Sequence, residues 1–223
     1  MASIKILDYY KSIFSPDKYS SKNFSIGSAM TLYYKLSVIP ILLSFLVGLL
    51  AAYVVPSAAH LNVPLFGILS ILAGPKIAVI ISTIITLWVI VPLGIFVNAF
   101  IYQMFGKYFL KAFRFKYEKT FTGTMFGVFP LLFLYWLLFV PKLSIIVLPI
   151  IAVWEFIVLV IAISSQQKIS RLQSFGVLVA SELVLLMFVF LIFAIGFASF
   201  LPISQGIHGI SPVFPGGSAT PYS

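Results

Sequence analysis

Cysteine is absent from this 223-residue chain, and acidic residues number only five. The first absence excludes disulfides, thiolate metal sites and thiol nucleophiles. Charged residues of either sign make up 9% of the chain, whereas a soluble domain carries about a quarter. Histidine occurs twice, as His60 and His208, far apart in sequence. A protein metal site needs three or four ligands, so no metal and no cofactor is expected. No glycine-rich phosphate loop has the required lysine spacing. No Ser/His/Asp set can be placed on one face of a membrane. The chain is therefore read as a protein that is not an enzyme.

What fills the chain is apolar side chain: 61% of residues are hydrophobic, and 23 are phenylalanine. The phenylalanines are read as lipid-facing or packing residues. A bilayer core of about 30 Å is crossed by roughly 20 helical residues. Five stretches meet that length, at 36–55, 77–102, 120–140, 144–164 and 173–200. The expected fold is an all-α membrane protein, a bundle of five transmembrane helices over residues 36–200. The run 65–73 is apolar but too short to cross. Ahead of the bundle, Ile4, Leu7, Tyr10 and Phe14 fall on one helical face and Lys5, Asp8 and Lys11 on the other. That pattern predicts a short N-terminal amphipathic helix within a lead-in of residues 1–35. It lies in the headgroup plane or packs on the end of the bundle. Residues 201–223 form a Pro/Gly-rich tail without charge. By itself such a tail is expected to be disordered, and a partner membrane subunit lying along it would order it.

The basic residues sit between the apolar runs. Five precede the first span, five lie in 103–119 and two in the turn 165–172, against only Lys76 and Lys142 on the other side. The positive-inside rule then makes the N-terminus and its 1–35 lead-in cytoplasmic and the C-terminus extracytoplasmic. The same rule accounts for the net charge of +9 without nucleic acid. Lys107, Lys111, Arg114, Lys116 and Lys119 form the densest cluster. They are read either as a topology signal or as a site for anionic lipid headgroups.

Inside the spans, Pro40 is expected one turn from a helix end, where proline costs little. Pro92 and Pro130 predict kinks. Gly94 with Asn98, and Gly123 with Gly127, are small or amide residues one turn apart and are expected at helix–helix contacts. Tyr135, Trp136 and Phe139 are expected at the outer interface, where aromatic rings anchor. The least expected residues are Glu155 and Glu182, which lie at equal distances from the middle of the turn 165–172. An antiparallel hairpin would bring them to similar depth near the midplane. A charged carboxylate there costs about 2.5–3.5 kcal/mol, and two like charges repel. The hypothesis is that the pair is neutral or shares one proton. It serves either as a proton or cation station or as interhelical hydrogen-bond glue.

These features together resemble the Yip1 family of five-span membrane proteins in its short prokaryotic form. The resemblance rests on Ile13-Phe14-Ser15-Pro16 before span 1, and on Asn98-Ala99-Phe100-Ile101-Tyr102 with Gly106-Lys107 at the end of span 2. It continues through Tyr117-Glu118-Lys119-Thr120-Phe121 leading to Pro130, Val153-Trp154-Glu155, and Gln167-Lys168-Ile169-Ser170-Arg171. It covers most of residues 5–200. The resemblance implies a five-helix bundle without an enzyme site, in a prokaryotic plasma membrane. Eukaryotic relatives bind small GTPases through a long cytoplasmic N-terminal region, which about 35 residues here do not match. The expected function is interaction with membrane lipids and other membrane-protein subunits, as an accessory or structural part of a complex. The alternative is a small transporter or channel component using Glu155 and Glu182.

Overall fold

The computed structural model describes residues 15–16, 24–54, 66–140 and 143–207. The amphipathic stretch 3–14, the loop 56–65, Pro141-Lys142, both histidines and the tail beyond 207 lie outside the described residues. Among those described there is helix and no strand. We number the helices α1 (Ile26–Val54), α2 (Phe66–Ala73), α3 (Pro75–Phe109), α4 (Tyr117–Phe139), α5 (Leu143–Gln167) and α6 (Arg171–Ile207). All but α2 are long and apolar enough to cross a bilayer. The chain is an integral membrane protein.

α1 begins about ten residues before the expected edge of span 1. Polar Ser28, Thr31, Tyr33, Tyr34 and Lys35 read as lead-in, yet they continue the helix. Pro40 therefore sits in the helix interior rather than in its first turn, and it withdraws the amide that would reach the carbonyl of Leu36. Ser44 Oγ donates to the Pro40 carbonyl at 2.7 Å in the same stretch. α2 covers the short apolar run; Gly74, at φ 81°, then turns the chain into Pro75 at the start of α3. α6 runs to Ile207, past the expected end at Phe200.

Two compact units are present, residues 1–181 and 182–223. In the first, α4 is the central helix. Of its span, 72% is buried, against 39% or less for every other span. α1, α3 and α5 pack on it, around a core that includes Leu36, Leu87, Phe121, Met125, Phe126 and Phe139. A smaller cluster of Tyr102, Phe113, Leu159, Ile163, Val177 and Leu178 lies toward the basic loop. The start of α6 is tied to α5 by Ser174 Oγ, which donates to the Val160 carbonyl at 2.9 Å. Tyr135 and Phe139 correct the sequence reading. Both are fully buried, because the helix that carries them is the inner one, and so neither is an interfacial anchor. In the second unit the described part is the continuation of α6, with Leu183, Leu186, Met187, Phe190 and Phe193 exposed.

Candidate functional site

At the basic end of the first unit, α3 closes on a π-turn, Phe105–Phe109, in which the Leu110 N–H reaches back to Phe105 O at 2.9 Å. The chain then reverses through Lys111, held at φ 51°. Phe113 folds flat onto Gly106, where any Cβ would overlap its ring. The Gly106 carbonyl accepts from the N–H groups of Ala112 and Phe113 at 2.7 and 2.9 Å.

This reversal brings Phe115 between two glutamines. The Gln103 amide donates from Nε2 to the Phe115 carbonyl at 3.1 Å. The Phe115 N–H donates to Gln167 Oε1 at 3.1 Å. Gln167 Nε2 donates to Thr120 Oγ1 at 2.8 Å, and the Thr120 hydroxyl donates to Gln103 Oε1. Four groups thus form a closed ring of four hydrogen bonds, in which each group both donates and accepts. Gln103, Thr120 and Gln167 are all buried. Buried polar groups are tolerated when each is satisfied, and this ring satisfies them while joining α3, α4, α5 and the loop. The following turn joins the same surface: Lys168, at φ 52°, places its Nζ 5.7 Å from the centre of the Phe115 ring.

A second polar locus lies midway along α3. Pro92 has no N–H, so the carbonyl of Trp88 loses its ordinary partner. The helix answers with a π-turn over Thr86–Ile90, in which the Val91 N–H bonds to Thr86 O. That leaves the Leu87 carbonyl without an intrahelical donor as well. α1 supplies both: Tyr33 OH donates to Leu87 O at 2.6 Å, and Tyr34 OH to Trp88 O at 3.4 Å. In return Trp88 Nε1 donates to Ser37 Oγ at 3.0 Å. Neighbouring side chains commonly rescue proline-freed carbonyls inside membranes. The kink expected at Pro92 is thus realised as a clamped π-turn. The hydroxyls of Thr83, Thr86 and Tyr135 are buried too, with Tyr135 beside Thr86 and near Tyr33. Tyr33→Phe removes the short bond and should lower stability in detergent by about 0.6–1.7 kcal/mol, the range for such bonds in membranes. Tyr34→Phe, at the long exposed bond, should change thermal unfolding by less than about 0.5 kcal/mol.

Gly123 and Gly127 both face α5: a Cβ on Gly123 would stand 3.0 Å from Ile163 Cγ1, and one on Gly127 2.7 Å from Leu159 Cδ1. Gly94 has nothing within 4 Å of its Cβ position. It makes no close helix contact, and Asn98 beside it is half-buried. The close approach expected there is instead at Gly48, whose Cβ would meet Val79 Cγ1 at 2.6 Å and Phe139 Cδ1 at 2.9 Å. Lys107, Lys111, Arg114 and Lys116 are exposed and Lys119 is half-buried. Glu155 is half-buried on α5 in the first unit, and Glu182 is exposed at the first position of the second. Sequence reasoning missed Gln103, Thr120, Gln167 and Tyr33. The only signal was the presence of two glutamines and a threonine at span ends, where polar residues are ordinary.

No family model, curated protein or solved structure matches this chain.

Proposed function

We propose that the protein is a non-enzymatic, Yip1-like subunit of a larger complex in a prokaryotic plasma membrane, working through contact with another membrane protein. The observation that carries this reading is the second unit. Its described part is a single helix, with Leu183, Leu186, Met187 and Phe190 all exposed. A lone helix has no core of its own, and a partner's helices would supply neighbours for it. The tail beyond it would extend along the same partner. The bias of lysine and arginine toward the lead-in and the 103–119 and 165–172 loops supports an N-terminus in the cytoplasm and a C-terminus outside.

The test is purification of the full chain in mild detergent followed by mass determination. A stoichiometric membrane protein should accompany the 24.7 kDa chain. A monodisperse species containing this chain alone overturns the reading. Orientation has its own check. Because the chain has no cysteine, Ser3→Cys and Ser223→Cys each provide one thiol. An impermeant maleimide applied to intact cells should label only the second.

A second reading is a small transporter or channel component. The half-buried Glu155 and the hydroxyls gathered at the π-turn favour it. Proton or cation flux into liposomes holding the purified chain, lost in Glu155→Gln or Glu182→Gln, would support it.

A further inference from the structure

We propose that the basic end of the first unit is a preformed binding surface for the headgroups of anionic phospholipids. Lys107, Lys111, Arg114, Lys116 and Lys168 supply its charge, and Tyr108 and Phe109 form its lipid-facing rim.

Topology alone asks only that positive charge lie on this side; it does not ask that the charge be held in place. Here it is held. The glutamine–threonine ring grips both backbone groups of Phe115, and Phe113 is seated on Gly106. Lys168 lies over the Phe115 ring, so the turn after α5 and the loop after α3 make one surface. A surface already ordered loses little conformational freedom when a ligand binds.

The backbone gives an independent indication. Lys111 and Lys168 both occupy left-handed positions, φ 51° and 52°. Glycine or asparagine adopts that conformation more cheaply than lysine does. The backbone therefore does not account for lysine at either place. Observed strain of this kind is a recurrent mark of functional segments.

The position selects lipid over an acidic protein. Tyr108 is 62% and Phe109 67% exposed, and both stand in the last turn of a membrane-crossing helix, directly beside the cations. Aromatic rings next to lysine and arginine at a span end mark the level of the headgroups. Phosphates are already present at that level, and anionic ones complement the five cations. The surface is independent of the subunit role proposed above, which concerns the second unit.

The test uses the full chain reconstituted in vesicles of equal phosphatidylcholine and phosphatidylglycerol, then released for native mass spectrometry of retained lipid. The wild-type chain should retain phosphatidylglycerol preferentially. The double variant K111G/K168G removes two cations while relieving two left-handed lysines, so its melting temperature should equal or exceed that of the wild type. Its preference should fall by roughly fivefold for each charge. K111N/K168N, which also suits the left-handed backbone, should behave alike. K76Q, at the opposite end of α3, should leave the preference unchanged. Equal retention of the two lipids by the wild type overturns the proposal. So does a preference that survives in both double variants.

Discussion

Gly127→Leu should sharply lower the melting temperature of the bundle in mild detergent, while Gly94→Leu should not lower it. At Gly127 the first added carbon would stand 2.7 Å from Leu159 Cδ1, 2.9 Å from Leu159 Cβ and 3.2 Å from Leu159 Cα. The last of these is backbone, which no rotamer change can move aside. α4 and α5 would have to separate, and the close approach at Gly123, where an added Cβ would lie 3.2 Å from Ile163 Cα, would open with it. Overpacking of this kind costs about 1–3 kcal/mol and sometimes more. At Gly94 the same side chain enters open space. Both replacements gain helix propensity by about 0.8–1 kcal/mol, so their difference isolates the packing term. Thermal unfolding by size-exclusion fluorescence reads it directly. If the two variants melt together, α4 and α5 do not cross at Gly127.

Thr120→Val carries the second large expected effect. The change preserves shape and removes one hydroxyl, but that hydroxyl both donates to Gln103 and accepts from Gln167. Two buried amide groups then lose a partner at once, each at about 1–3 kcal/mol. A loss of about 2–4 kcal/mol is expected on that basis. Thr120→Ser keeps the ring and sacrifices one methyl group, worth about 0.8 kcal/mol. Hydrogen exchange separates the ring from general destabilisation. The Phe115 amide, which donates into the ring, should lose protection in the valine variant by far more than the amides of α1. Equal exchange at Phe115 in the valine and serine variants would show that the ring does not hold the loop.

The number of spanning helices could be read from the sequence because lipid demands one thing of each, an apolar run of sufficient length. Gly123 and Gly127 were legible for a related reason, since a small residue repeated at one helical turn leaves room for a neighbour. Gly94 with Asn98 has the same spacing, yet nothing lies within 4 Å of the Gly94 Cβ position, so the pattern offers an opportunity without naming which helix takes it. The start of α1 was misplaced because Tyr33 and Tyr34, next to Lys35, read as lead-in rather than span in one dimension. Their hydroxyls are in fact directed at carbonyls that Pro92 frees 54 residues later. The ring was illegible for the same reason. Gln103, Thr120 and Gln167 are separated by 17 and 47 residues, and each alone is an ordinary polar residue at a span end. Tyr135 and Phe139 were assigned to the interface because aromatic content marks a membrane boundary only on helices that touch lipid.

The burial of α4 bears on how the protein is made. α4 is the least hydropathic of the five spans, and it carries Thr120, Thr122 and Thr124 near its start and glycines at 123 and 127. A translocon that partitions segments one at a time would give it the weakest push into the bilayer. Its surface suits protein rather than acyl chains, and α3 covers only part of it, so α5 must also be at hand before it is held in the bilayer. Synthesis should therefore pause at, or be sensitive to, the arrival of α5, and a chain truncated after residue 140 should fail to retain its third crossing.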